Sequence, residues 1–389
     1  MPDMLDSTIQ TPTADDARWM GRALQLAANG LFTTGANPRV GCVLVRDAQL
    51  IGEGWHERAG EAHAEVMAIR DAGRRGHSID GATAYVTLEP CAHHGKTPPC
   101  TDALINAGVR RVVAAMSDPN PLVGGKGFAQ LQAAGICVAS PLMSAEAAAL
   151  NVGFVKRMRE GMPWVRLKMA GSLDARSALA NGQSQWITGP EARADGHRFR
   201  ARAQAIVTGV GTLIEDNPTL TARDVATPPG QFADQPVPLP SGLRVVLDSH
   251  LRMPLTAKVL QGGCLVATSS TDETKTAALQ AAGAEVVCLP DGEGRVDVAA
   301  VLRHLAARGV NEVHVEGGSR LSGVFLKAGL VDELLFYIAP CVLGSDARGW
   351  FDDLNLTSLD QKIGLVFQDV RMIGADLRIM ARPVFTNAH

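Results

Sequence analysis

Short apolar runs alternate along this chain with stretches whose apolar positions fall three and four apart, the sequence form of layered α/β structure. Ala14 to Asn29 predicts a helix with Ala17, Met20, Leu24 and Ala27 on one stripe. Val40 to Val45 and Leu50 to His56 predict strands joined by a hairpin over Arg46 to Gln49. Ala64 to Gly73 reads as helix, Thr83 to Leu88 as strand, Thr101 to Ala107 as helix and Arg111 to Met116 as strand. Gly127 to Ala134 and Ile136 to Ala139 add a helix and a strand. About five strands with long later crossovers predict a mixed sheet covered by helices.

Ser144 to Arg159 predicts one further helix, ended by Gly161 and Pro163. A second α/β series follows, with strands expected at 164–168, 205–208, 244–247, 264–268, 285–289, 312–315 and 334–339. The expected domains are therefore 14–155 and 162–385. Between Ala226 and Ser241 lie five prolines, which bar that stretch from a central strand and predict a surface loop within the second domain.

The length of 389 residues suits two or three domains at ~100–200 residues each. Hydrophobic residues at 46% and charged residues at 20% exclude a disordered chain. Lys plus Arg is 37 against 40 Asp plus Glu, a net charge of −3 without the basic stripe of a nucleic-acid binder. A local basic pocket for one phosphorylated small molecule is still allowed. Apolar runs stay short of the ~18 residues of a membrane span, and Met1 to Asp16 lacks the apolar core of a signal peptide. Seven scattered cysteines suit free thiols in a reducing compartment. The expectation is a cytoplasmic α/β protein with neither nucleic-acid nor membrane partners.

The sharpest chemistry lies in the first half. His63-Ala64-Glu65 opens a predicted helix, Pro90-Cys91 follows a predicted strand, and Cys100 stands just ahead of the next helix. One imidazole and two thiolates make a zinc donor set with a fourth position left for water. Zinc then makes hydroxide available near neutral pH. Residues two apart on a helix do not share a face, so Glu65 is placed as the proton carrier rather than as a ligand equal to His63. His-x-Glu with Pro-Cys and a later Cys is the zinc nucleobase-deaminase pattern. Eight residues separate Cys91 from Cys100, where that pattern has two. The competing reading is a closed structural zinc site with Cys42, His93 or His94 as fourth ligand, in which Glu65 has no task. Asn37, His56, Asp118 and Asn120 fall near strand ends, where α/β sheets bind ligands, and Lys96 lies between the two cysteines. Each lines the site or merely shapes a turn.

In the second half, the strand Val313 to Glu316 runs into Gly317-Gly318-Ser319 and a helix from Arg320 to Ala328. Glycines at such a turn let a phosphate approach backbone N–H groups and the positive helix end. Thr208-Gly-Val-Gly-Thr212 is a weaker signal of the same kind. From the residues alone this half is a nucleotide-using α/β domain.

Taken together, the motifs resemble the family of bifunctional riboflavin-biosynthesis proteins, a pyrimidine deaminase fused to a reductase, from about Ala14 to Arg382. The resemblance is carried by Asn37-Pro-x-Val-Gly-Cys42, His63-Ala-Glu65, Thr87-Leu-Glu-Pro-Cys91 and His94-Gly-Lys-Thr-Pro-Pro-Cys100, whose long cysteine spacing this family shares. In the second half it is carried by Ser172-Leu-Asp174, Ser184-Gln-Trp-Ile-Thr188, Asp216-Asn-Pro218, Val315-Glu-Gly-Gly318 and Ile338-Ala-Pro340. It implies a cytidine-deaminase-like three-layer αβα domain with a mixed sheet, then a dihydrofolate-reductase-like α/β domain. It implies deamination of 2,5-diamino-6-ribosylamino-4(3H)-pyrimidinone 5′-phosphate, then NADPH reduction of the ribosyl side chain to ribityl.

By the same resemblance His63, Cys91 and Cys100 bind Zn2+, Glu65 carries the proton, and Asn37, His56, Lys96, Asp118 and Asn120 hold the first substrate. Lys168, Ser184, Arg200, Leu220, Arg223 and Glu316 hold the second. NADPH contacts fall to Ala170, Trp186, Thr212, Asp216, Ser249 and the turn and helix Gly318, Ser319, Arg320, Leu321, Ser322, Gly323 and Val324. The partners implied are phosphorylated pyrimidines and further copies of the chain in a homo-oligomer. Ala175 departs from the family's glycine after Ser-Leu-Asp and is strained if that position needs a positive φ. Two rivals are a nucleic-acid adenosine deaminase, against which the acidic balance speaks, and a non-catalytic zinc-stabilised regulator, against which Glu65 speaks.

Overall fold

The first helix, α1 (Ala14–Ala28), begins on a reciprocal cap: the Thr13 hydroxyl accepts from the Asp16 N–H at 3.3 Å, and the Asp16 carboxylate accepts from the Thr13 N–H at 2.7 Å. Asp16 does more than cap. It also accepts from the Tyr85 hydroxyl at 2.8 Å and from two Arg111 N–H groups at 2.7 and 2.9 Å, which ties the helix start to two strands. The structure, a computed structural model, describes residues 13–92 and 98–385. They fall into two compact units, one running to Gly161 and taking in Ala226–Pro240, the other made of Met162–Val225 and the chain from Ser241.

The first unit holds β1 (Gly41–Arg46), β2 (Gln49–Trp55), α2 (Ala64–Arg74), β3 (Thr83–Val86), α3 (Cys100–Asn106), β4 (Arg111–Ala114), α4 (Lys126–Ala133) and β5 (Cys137–Ala139). Its sheet has the order β2-β1-β3-β4-β5, with β1 antiparallel to both neighbours and β3, β4 and β5 parallel. Period-two alternation divides the core. Cys42 and Leu44 face α2, α3 and α4, whereas Val43 and Val45 face α1 and the later helices. The expected three-layer αβα arrangement with a mixed sheet follows. Gly52 and Gly54 are required where α2 crosses β2, because a Cβ at either would run into the helix backbone.

The predicted helix 144–159 is two helices, α5 (Ser144–Leu150) and α6 (Val152–Glu160). Asn151 breaks it. Its side chain leaves the helix pattern to accept from the Arg39 N–H at 2.8 Å and to donate to the Arg39 carbonyl at 3.0 Å. Such local side-chain bonds compete with helix hydrogen bonding.

The proline-rich stretch forms no ladder strand, as expected, but it belongs to the first unit. The strand β2 is an edge of its sheet, with a row of unpaired backbone groups. Gln231 covers two of them: its side chain accepts from the Trp55 N–H at 3.3 Å and donates to the Glu53 carbonyl. Val237, 4% exposed, enters the core with Met20, Val43 and Trp55.

The second unit contains β6 (Trp164–Ser172), β7 (Arg176–Ala178), α7 (Pro190–Arg202), β8 (Ala205–Gly209), α8 (Val210–Asp216), β9 (Leu243–Leu247), β10 (Cys264–Thr268), α9 (Glu273–Ala281), β11 (Ala284–Cys288) and α10 (Val298–Ala307). It continues with β12 (Glu312–Glu316), α11 (Ser319–Lys327), β13 (Glu333–Ala339), β14 (Arg348–Gly349), β15 (Gly364–Ile373) and β16 (Asp376–Val384). The large sheet has the order β11-β10-β9-β8-β12-β6-β13-β16-β15. All seven strands expected in this half are present. The β15–β16 hairpin was not anticipated, because β15 is exposed on both faces and shows no in–out alternation.

At the centre of the sheet Arg166 is fully buried, with Nε 2.5 Å from Glu333 Oε1 on β13 and Nη1 3.3 Å from Glu312 Oε2 on β12. In the turn after β6, Ala175 has φ 59°, in the left-handed region, which is the condition under which the sequence reads it as strained.

Two measurements test these features. Gln231→Ala combined with Val237→Ala should lower the stability of the first unit by about 2–4 kcal/mol, the sum of two unpaired backbone groups and about two buried methylenes. An unchanged denaturation midpoint for the first unit would show that the strap is idle. Ala175→Gly should stabilise the second unit by up to about 1 kcal/mol, because a left-handed residue with a Cβ is strained. A lowered melting temperature would contradict that reading.

Candidate functional site

Three elements of the first unit converge at the ends of its strands. His63 is the N-cap of α2, Cys91 follows the segment after β3, and Cys100 opens α3. His63 Nδ1 lies 3.1 Å from Cys100 Sγ and 3.6 Å from Cys91 Sγ. Among the described residues this is the cluster suited to a metal, its three donor atoms all within 4.8 Å of one another. Cys42 is not part of it, and His93, His94 and the expected substrate residue Lys96 lie outside the described residues.

The thiols behave as a pair. The Cys100 hydrogen bond, helped by His63 and opposed by burial, pulls the Cys91 thiol down to about 4, while Cys100 is pushed up. The Cys91 hydrogen bond raises the His63 pKa, and two sulfur donors beside an imidazole suit a dication such as zinc. Glu65, in the first turn of α2 and 3% exposed, keeps its Oε2 without a partner among the described residues. Burial, reinforced by the Cys91 charge, raises its pKa.

His63, Glu65 and Cys91 line a cavity of about 420 Å³ shared with Asn37, His56, Asp118 and Asn120. His56 is held neutral, burial lowering its pKa to about 4. Its Nδ1 lies 3.1 Å from the Ala62 carbonyl, which only accepts, so Nδ1 carries the proton and Nε2 accepts from the Asn37 amide at 3.0 Å. Glu89, Phe154 and Met158 also line the cavity and were not anticipated.

The second unit has its own cavity of about 640 Å³. Lys168, Ala170, Ser184, Trp186, Arg200, Thr212, Asp216, Leu220, Arg223, Glu316, Gly318 and Ser319 all line it. Arg200 grips Glu316 in a two-pronged pair, Nε to Oε1 at 2.5 Å and Nη2 to Oε2 at 2.8 Å. Burial would raise the Glu316 pKa, but Arg200 and Lys168 hold it well below the usual carboxylate range. Burial draws the Lys168 pKa down, against the pull of Glu316.

Gly317 and Gly318 lead into α11, whose N-cap makes no side-chain hydrogen bond and where a Cβ on Gly318 would meet open space. That helix end carries no side-chain cap, and helix starts of this kind receive phosphate groups. Arg320, Leu321, Ser322, Gly323 and Val324 lie along α11 and do not line the cavity. Ser322 is buried, and Gly323 packs on the Asp352 backbone. Ser249 is not at the cavity either, its hydroxyl accepting from the Val296 N–H at 3.2 Å. His197 and Tyr337 line the cavity unforeseen. Tyr337 shares a strand face with Glu333, a period-two signal that could have found it.

Comparison with known proteins finds a family match in each half of the chain. Residues 163–378 match the RibD C-terminal domain, and residues 13–116 match the cytidine and deoxycytidylate deaminase zinc-binding region. The riboflavin biosynthesis protein RibD of Escherichia coli K12 is 46% identical over 371 residues, covering 93% of this chain and 98% of that protein. Among solved structures, Acinetobacter baumannii RibD superposes with a TM-score of 0.85 at 42% identity, covering 95% of this chain and 99% of that one. A Thermotoga maritima protein described as a diaminohydroxyphosphoribosylaminopyrimidine deaminase/5-amino-6-(5-phosphoribosylamino)uracil reductase gives 0.81 at 31% identity, covering 95% and 99%. With a zinc-type deaminase site in one unit and an NADPH-type reductase site in the other, this chain belongs to the RibD family of bifunctional riboflavin-biosynthesis enzymes.

Proposed function

We propose that the first cavity deaminates 2,5-diamino-6-ribosylamino-4(3H)-pyrimidinone 5′-phosphate and that the second reduces the ribosyl chain of the uracil product to ribityl. The observation that carries the first step is the unpartnered Glu65 Oε2 beside the His63–Cys91–Cys100 donors. His63, Cys91 and Cys100 would hold a zinc ion, which would supply hydroxide near neutral pH. Glu65 takes up a proton at Oε2 and passes it to the departing amino group, so that water enters and ammonia leaves. Burial suits the carboxyl to hold that proton. Asn37, His56, Asp118 and Asn120 orient the ring, His56 doing so as a neutral imidazole. Lys96 is assigned to the substrate phosphate.

In the second cavity Lys168, Ser184, Arg200, Leu220, Arg223 and Glu316 hold the phosphoribosyl chain. The Arg200–Glu316 pair fixes both side chains, and Lys168 stands beside them as a proton donor for the opening sugar. Ala170, Trp186, Thr212, Asp216 and the start of α11 hold NADPH, which supplies the hydride. The chain acts in the cytoplasm, a reading supported by seven free cysteines. No helix among the described residues is long and apolar enough to cross a membrane.

The enzyme works as a homo-oligomer in this reading. Support comes from β15, an edge strand of ten residues that exposes Leu365, Val366, Phe367, Val370 and Met372. Long apolar edges are ordinarily covered.

Glu65→Gln should retain stoichiometric zinc and lose ammonia release from the diaminopyrimidine by about 10²–10⁴-fold, because an amide cannot relay a proton. NADPH oxidation with the deaminated substrate should be untouched. Near-normal deamination at full zinc occupancy would remove Glu65 from the mechanism. Phe367→Glu should shift the mass measured by light scattering toward one chain. A wild-type mass would place the interface elsewhere.

A further inference from the structure

Glu89 is a polar residue of the deaminase cavity wall with no assigned part in zinc binding, the proton path or substrate contact. It is 5% exposed, and both its oxygens are engaged by backbone donors. Oε2 accepts from Asp118 at 3.0 Å and Gly125 at 2.9 Å, and Oε1 accepts from Gly127 at 2.8 Å and Phe128 at 3.4 Å. All four donors belong to one segment, the turn after β4 and the first turn of α4. That turn carries Asp118 and Asn120, which line the same cavity.

The segment needs an outside anchor. Pro119 and Pro121 remove two N–H groups from it, and it joins no strand ladder. Its internal bonds are short-range, with Asp118 Oδ1 accepting from the Asn120 N–H at 2.8 Å and the Asn120 carbonyl from the Gly124 N–H at 2.9 Å. The helix that follows lacks a cap of its own, since Gly125 at its N-cap has no side chain to offer. Glu89 supplies that cap from another element, as a carboxylate at the positive helix end. Gly127 lets it in, because a Cβ there would meet the Pro90 carbonyl and stand 3.1 Å from Glu89 Oε1. Glu89 is itself held, its N–H donating to the Met116 carbonyl at 2.9 Å.

We propose that Glu89 is a positioning residue for deamination: by gripping the 118–128 segment it sets Asp118 and Asn120 against the substrate without touching the substrate itself. The proposal rests on the reading of this cavity as the pyrimidine site. Through Asp118 it governs substrate affinity rather than the chemical step.

The test uses the full-length zinc enzyme and the diaminopyrimidine substrate. Glu89→Gln places an amide N–H against backbone donors and should raise KM about tenfold or more. In that variant zinc should stay at one per chain, kcat should change far less than KM, and reductase activity should be unchanged. Asp118→Asn should raise KM as well, and the double variant should be no worse than the poorer single one. KM within about twofold of wild type in Glu89→Gln, fully additive losses in the double variant, or loss of zinc would each overturn the positioning role. If Glu89→Gln does not accumulate, Glu89→Asp replaces it; its shorter arm should raise KM severalfold, and a wild-type KM overturns the proposal. Failure of the underlying reading looks different: the unsubstituted zinc-loaded enzyme would release no ammonia from this substrate.

Discussion

Arg166 constrains the reductase half more than any other residue, because a guanidinium with no exposure must keep its carboxylate partners. Those partners come from the strands on either side, Glu312 on β12 and Glu333 on β13. Register places Arg166 opposite His314 on one side and Glu333 on the other. A slip of one residue in either pairing would turn a charge to the opposite, apolar face and leave another unpaired. The buried charges thus lock three parallel strands whose apolar residues alone would tolerate several alignments. The same register carries onward by twos, from Arg166 to Lys168 and Ala170, from Glu312 to His314 and Glu316, and from Glu333 to Tyr337. One face of the central strands is therefore a polar track, structural at one end and lining the reductase cavity at the other. The chemistry of this half is an extension of the constraint that aligns its sheet.

The deaminase half uses buried carboxylates in three ways. Asp16 satisfies its oxygens with Thr13, Tyr85 and Arg111, and so joins a helix cap to two strands. Glu89 satisfies its oxygens with four backbone donors and braces a loop. Glu65 alone keeps an oxygen in reserve, next to the donors for zinc. Burial without a partner is costly for a carboxylate, and a group held so is poised to exchange a proton. The contrast within one domain sets the two carboxylates that brace the fold apart from the one whose oxygen stays open beside the metal donors.

Much of this was legible in the residues themselves. The five strands of the first sheet, seven strands of the second, the zinc donors and Glu65 all follow from period, spacing and donor chemistry, which are local properties. Even the strain at Ala175 was readable, because its motif context calls for glycine and its φ is 59°. Tertiary structure decided what depends on partners far away in sequence. Asn151 breaks a helix that its neighbours would continue, since the groups it binds belong to Arg39. The strap around Gln231 and Val237 completes a unit that its chain position assigns to the other. The strand β15 has no alternation to betray it, because it lies largely exposed. Ser249 stands on a promising strand end but spends its hydroxyl on Val296. Glu89 reads as one residue of a zinc motif until the fold brings the turn at Asp118 and the start of α4 to its two oxygens. A sequence determines which groups are available and what each stretch prefers locally. Which of them meet is settled only when the whole chain has paid the entropy of bringing distant segments together.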